Sequence, residues 1–252
     1  MKNLPEGQPR AALFVTCLVD LMRPSVGFAA ARLIEAAGFE LVVPEGQTCC
    51  GQPNYNSGDR QGARRIARAT IDCLDDFDTV VVPSGSCAAM LVHHYPALFE
   101  AGDPYGQKAA ALAGRTSELV TFLAQHGYVP QQSIDSVVTY HDSCSGLREL
   151  NIKQAPRDLL SRIAGLDLKE MGEPEVCCGF GGTFCVKYPD VSGRMVENKT
   201  ADIEATGADM VAMGDVGCLM NIEGRLHREG RAAQGRHIAE VLADALGQRD
   251  AD

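Results

Sequence analysis

The chain of 252 residues carries 23 Lys and Arg against 33 Asp and Glu, a net charge of −10, and 45% of its residues are apolar. Apolar residues spread along the whole length argue against disorder and supply a core for one large or two small domains. The acidic balance argues against a phosphate-backbone binder, which needs clustered Lys and Arg. Ten cysteines are the unusual count. They are few for a small disulfide scaffold and too many to be incidental in a reducing compartment.

The most apolar run, Ala11 to Val19, falls far short of the about 20 residues that span a bilayer. Pro and Gly precede it, Asp20 closes it and no small-residue cleavage site follows, so it does not read as a secretory signal. It predicts a first buried strand over 11–16 in a cytoplasmic protein whose thiols stay reduced. Val26, Ala29, Ala30, Leu33, Ile34 and Ala37 recur at helical spacing, and Gly38 stands where that helix would stop. Strands are predicted over 41–44 and 79–83, with Ala63, Ile66, Ala67, Ile71 and Leu74 marking a helix between them. Leu112, Leu119 and Leu123 suggest a helical linker ahead of Gly127. A boundary near residue 130 gives two domains, 1–130 and 131–252.

The second part repeats the pattern. Strands are predicted over 136–140, 166–171 and 210–214, with a helix through Ile152, Ala155, Leu159, Leu160 and Ile163. Ile238, Leu242 and Ala245 suggest a last helix packing back on its domain. Strands alternating with helices imply parallel pairing with right-handed crossovers. The expected fold is therefore α/β, two pseudo-symmetric Rossmann-like halves with parallel sheets that arose by internal duplication.

The cysteines carry the same duplication. Cys17, Cys49-Cys50-Gly51 and Cys87 are followed by Cys144, Cys177-Cys178-Gly179 and Cys218, at offsets of 127, 128 and 131 residues. A near-constant offset at four positions marks an internal repeat. Each cysteine follows one of the three strands of its half, and the carboxyl ends of parallel strands share the edge where open α/β sheets bind ligands. Four thiols then converge on one site per half. Thiols so concentrated bind a soft metal or carry out thiol–disulfide chemistry. Structural zinc usually takes C-x-x-C pairs, which neither half has. Adjacent cysteines diverge, which suits a cluster in which two thiolates reach two irons. A glycine after each pair lets main chain approach and donate N–H groups to sulfur.

C…CCG…C, given twice, resembles the CCG cysteine-rich domain found in heterodisulfide reductase and in the iron–sulfur subunit of glycolate oxidase. The stretches Gly85-Ser86-Cys87-Ala88-Ala89-Met90, Tyr140-His141-Asp142-Ser143-Cys144, Cys177-Cys178-Gly179-Phe180-Gly181-Gly182-Thr183-Phe184 and Gly217-Cys218-Leu219-Met220 are most similar to the lactate utilization protein A subgroup. The resemblance covers residues 11 to 222. It implies that 1–130 and 131–252 are each a CCG domain, the second with the C-terminal helix. It also implies an electron-transfer subunit of an L-lactate oxidation system, without its own substrate site. The partners it implies are a ferredoxin-type iron–sulfur protein and a third, cluster-free subunit. Cys17, Cys49, Cys50 and Cys87 would bind one iron–sulfur cluster, and Cys144, Cys177, Cys178 and Cys218 the other. The fuller family pattern ends each motif in C-x-x-C; here Met90 and Asn221 stand at the last positions, which makes one [4Fe–4S] cluster per half the simpler expectation. The alternatives are a subunit of a glycolate oxidase-like or heterodisulfide reductase-like thiol:disulfide oxidoreductase and a non-redox zinc-binding module.

Other candidates are given more ordinary roles. Met90 is expected in the core, and Cys73, on a helical face with Ile66, Thr70 and Phe77, is expected to pack there too. Cys185 has no partner in the first half, which argues against ligation. His141 is expected at the surface or behind the ligands, and His93-His94 at a helix end. Gly179-Phe180-Gly181-Gly182 lacks the third glycine of a dinucleotide fingerprint.

Overall fold

The structure, a computed structural model, describes residues 8–247. Strands β1 (Arg10–Leu13), β2 (Glu40–Val42), β3 (Val80–Val82) and β4 (Thr116–Glu118) form one parallel sheet in the order β2-β1-β3-β4. Strands β5 (Ser136–His141), β6 (Leu166–Leu168), β7 (Met210–Met213) and β8 (Gln234–His237) form a second parallel sheet in the same order, β6-β5-β7-β8. The registers superpose. Ala12 pairs with Val80 in the first sheet and Thr139 with Val211 in the second. The offset is thus 127 on the first strand of each half and 131 on the third, as the cysteines have it. The α/β fold with two similar parallel halves is as expected.

The helices follow their local signals. Pro24–Ala36 stops before Gly38, whose φ of 90° is cheap only for glycine. Arg60–Leu74 starts where the Asp59 carboxylate accepts from the Gly62 N–H at 2.8 Å. Gln154–Ser161 buries Leu159 and Leu160. Five of the expected strands end earlier than expected, β5 runs one residue further, to His141, and β4 and β8 were not expected. Thr116-Ser117-Glu118 and Gln234-Gly235-Arg236-His237 have no apolar run to mark them. They pair because each lies beside the fully apolar strand of its half. The proposed linker helix is accordingly two helices, Pro104–Gly114 and Leu119–Gln125, with β4 between them.

One apolar cluster runs through both halves, joining Leu33, Ile34, Leu119 and Phe122 to Val138, Leu159, Ile238 and Leu242. The last helix, Ile238–Asp244, packs across onto Pro24–Ala36 of the first half rather than only on its own. Polar contacts lock that crossing. Arg23 grips Glu240 through two bonds of 3.1 and 3.2 Å and Glu223 at 3.0 Å, and Ser25 donates to Glu240 at 2.7 Å. Nearer the sheet edges, the Gly85 N–H donates to the Gly214 carbonyl at 3.2 Å, and a Cβ on Gly85 would stand 3.0 Å from the Gly146 Cα. The halves meet main chain to main chain there, and only glycine fits.

Gly85→Val is therefore expected to wedge the halves apart and destabilise the fold by about 1–3 kcal/mol. Gly224→Ala, in a helix and with no atom within 4 Å of the added Cβ, is expected to stabilise it by about 0.5–1 kcal/mol. Urea midpoints of the two variants check both signs.

Candidate metal centre

Cys17 opens a helix after β1 and Cys144 opens the matching helix after β5. Cys87 and Cys218 sit in the first turn of helices after β3 and β7. The two CCG triplets lie in the loops after β2 and β6. The shared carboxyl edge thus gathers each set. The two edges also face each other, so that all eight thiols line one cavity of about 330 Å³ between the halves. The expectation of one site per half becomes two four-thiol walls of a single chamber.

Burial repeats as well as position. Cys50, Cys87, Cys178 and Cys218 are buried, while Cys17, Cys49, Cys144 and Cys177 are half-buried. The Cys50 and Cys87 sulfurs touch at 3.3 Å. Glycine after each pair has one structural task. Gly51 and Gly179 take φ of 84° and 87°, turning the main chain so that each N–H donates to the sulfur two residues back, Cys49 and Cys177, at 3.4 Å. A Cβ on Gly179 would also meet the Ser192 carbonyl at 2.9 Å.

The thiols are electrostatically unequal in the same way on both walls. The Cys49 sulfur accepts from Cys17 and Cys50, which together with the Gly51 N–H brings its pKa down to about 3 against the opposing effect of burial. Cys177, accepting from Cys144, Cys178 and Gly179, falls to about 2. The donors move the other way. Cys17 and Cys144 are pushed up by their bonds to those sulfurs and by burial, and Cys50 and Cys178 likewise. Each wall therefore presents a thiolate flanked by thiols.

The loops are held from behind. Ser84 caps the Cys87 helix by accepting from the Cys87 N–H, and Asp215 caps the Cys218 helix by accepting from the Gly217 N–H at 3.1 Å. Asp215 also accepts from the Ser86 N–H at 3.0 Å and from Ser84 at 3.2 Å, tying one wall to the other. The carbonyl of each second cysteine accepts a side-chain bond, Cys50 from Tyr95 at 2.9 Å and Cys178 from Asn221 at 2.8 Å. Arg157 donates two hydrogen bonds to the buried Asp142 carboxylate, at 2.9 and 2.8 Å, and so fixes the turn between β5 and the helix that Cys144 opens. Ser84 and Asp215 were legible as helix caps three residues before a cysteine, a signal the cysteine pattern overshadowed. Tyr95 has no such signal.

Met90 is fully buried in the first core, as expected, and neither Met90 nor Asn221 is among the residues lining the cavity. Cys185 is also outside the lining and donates to the Gly182 carbonyl. Cys73 departs from expectation. It is half-buried, with its thiol on the Glu45 carbonyl, because the buried stripe of its helix runs through Ala67, Thr70, Ile71 and Leu74 and leaves it at the margin. His93 is exposed and His94 half-buried, not at a helix end as expected but in a π-helical turn, Met90–His94, that runs on into Tyr95–Leu98, and both reach Glu149. His141 is not at the surface: it is fully buried, with a ring nitrogen grouped with the Cys178 and Cys218 sulfurs, all within 4.8 Å of one another.

The family described as CCG, a cysteine-rich domain, matches residues 11–92 and 138–223. Over 242 residues the chain is 44% identical to lactate utilization protein A 2 of Bacillus cereus strain AH820, covering 95% of this chain and all of that one. The chain belongs to the lactate utilization protein A family. It is also 45% identical over 235 residues to the Shouchella clausii lactate utilization protein A, covering 92% of this chain and 97% of that one. A crystal structure of a hypothetical protein from Helicobacter pylori shares the fold, with a TM-score of 0.66 at 12% identity over 98% of this chain and 50% of that one. Two walls of clustered thiols suit a soft metal or an iron–sulfur centre, whose irons take four thiolates. Among the described residues no helix is long and apolar enough to cross a membrane.

Because this arrangement holds Cys49 and Cys177 ionised well below neutrality, iodoacetamide at pH 6 is expected to alkylate them first in the metal-free protein. An ordinary thiol is only about 0.3% thiolate at that pH. Peptide mass mapping reads the order, and uniform labelling of the eight would contradict it.

Proposed function

We propose that this chain is the iron–sulfur electron-transfer subunit of a system that oxidises L-lactate to pyruvate. Cys17, Cys49, Cys50 and Cys87 hold one cluster and Cys144, Cys177, Cys178 and Cys218 a second, each of the [4Fe–4S] type. The observation that carries this reading is the duplicated four-thiol wall, with matching burial and matching charge, on one cavity. The positions where the family pattern has a fifth cysteine are turned to other uses, Met90 to packing and Asn221 to the Cys178 carbonyl.

A bound cluster supplies one-electron transfer, and the chain's own residues do the rest. The Gly51 and Gly179 N–H groups, already aimed at sulfur, stabilise the charge of the ligands. All eight thiols line the same cavity, which supports a reading in which an electron passes between the two sites inside the protein. Lactate is oxidised on a partner, and a ferredoxin-type iron–sulfur protein with a third, cluster-free subunit completes the system in the cytoplasm. The relatives' names support the substrate.

Deleting the gene from a host without another lactate dehydrogenase is expected to abolish growth on L-lactate and leave growth on pyruvate intact. A Cys177→Ser–Cys178→Ser chain should fail to restore it. Unimpaired growth of the deletion strain on lactate would refute the substrate assignment.

A further inference from the structure

The duplication is close, but several matched buried positions differ in kind, and one of them stands directly beside the cysteines. The register that pairs Ala12 with Val80 and Thr139 with Val211 sets Phe14 of the first half against His141 of the second. Both side chains are buried behind the cysteines of their own half. Phe14 lies in the apolar cluster with Cys50 and Cys87, and His141 lies against Cys178 and Cys218. A benzyl ring there asks for nothing. An imidazole buried with both ring nitrogens lacking a hydrogen-bond partner leaves polar groups unsatisfied, at a cost that folded proteins rarely bear. The Pro174 carbonyl lies near the ring without completing a hydrogen bond.

Two further differences act in opposite senses. Asp215, standing where the first half has Ser84, sets a negative charge that pushes Cys144 and Cys218 up and opposes the effect of an N–H donor. A buried lysine supports it. The helices Arg60–Leu74 and Pro189–Ala205 bury the same pattern of positions, Ala67, Thr70, Ile71 and Leu74 against Val196, Lys199, Thr200 and Ile203. Lys199 thus replaces Thr70. It is buried, donates to the Glu173 carbonyl, and its charge is felt at Cys178 and Cys218.

We propose that the two clusters sit at unequal potentials, the second above the first, because His141 offers the second site a buried N–H donor where the first has the hydrocarbon ring of Phe14. This rests on the cluster reading above. Ligand thiolates accept hydrogen bonds and cannot donate them, so the tautomer they select keeps its hydrogen on the nitrogen facing sulfur. Reduction adds negative charge to the cluster and its sulfurs, and a fixed N–H dipole stabilises the reduced form more than the oxidised one. His141 is a positioning and tuning residue and not a ligand, since four cysteines already stand at matched positions in each half. The second site is then where an electron comes to rest within this chain.

The test is an EPR-monitored redox titration of the reconstituted full chain and three variants. The wild type is expected to show two one-electron waves. In His141→Phe the upper wave moves down toward the lower by at least tenfold in its reduction equilibrium constant, about 59 mV for one electron, with iron and sulfide content unchanged. His141→Gln, which keeps an N–H donor, retains most of the gap, and Phe14→His moves the lower wave up. Unmoved waves in His141→Phe overturn the proposal, and so does loss of iron from that variant, which would make His141 a ligand. A wild-type chain that takes up no iron overturns the cluster reading itself, and is seen before any variant is compared.

Discussion

Eight sulfurs on one cavity of about 330 Å³ cannot all be treated as packing, and they cannot all be ionised. Two like charges about 4 Å apart repel by about 4 kcal/mol at the effective dielectric of a partly buried site. Without a cation, each wall settles for one thiolate stabilised by two neighbouring thiols and a main-chain N–H. Cys17, Cys50, Cys144 and Cys178, all pushed up, ionise when something positive replaces their protons, and a metal or cluster does that while releasing those protons. The fold serves this constraint. Parallel strands deliver cysteines distant in sequence to one edge, left-handed glycines turn N–H groups onto sulfur, and the Ser84–Asp215 contacts hold the two walls together.

The same constraint explains why the halves share a core instead of standing as beads. Facing edges need the sheets to be held at a fixed separation, and the apolar cluster that joins Leu33 and Phe122 to Leu159 and Leu242 does so from the far side. The C-terminal helix, anchored on Arg23 and Ser25, adds a polar lock. Glu118, at the end of β4, is enclosed deeply enough that burial pushes its carboxyl up to about 8, so its role as the cap of the following helix is played by a largely neutral group at pH 7.

Much of this was legible in the sequence. Apolar runs located six of the eight described strands, four of them closed by a nearby glycine or proline. The offset between the cysteine sets announced the duplication, and strand ends placed the thiols on one edge. What stayed hidden was three-dimensional adjacency. Nothing in the order of residues says that two sheet edges face one another, so one chamber had to be seen. The edge strands β4 and β8 carry polar residues because only one flank pairs, and they imitate loop. His141 was read as an exposed or supporting residue because a lone histidine carries no burial signal, and Lys199 gave none at all.

The central claim is that each wall holds one cluster, and metal content measures it most directly. The full chain, purified or reconstituted without oxygen, should contain iron and acid-labile sulfide in equal amounts. That content should halve in Cys49→Ser–Cys50→Ser and halve equally in Cys177→Ser–Cys178→Ser. Zinc in place of iron, with no iron taken up on reconstitution, would contradict the account.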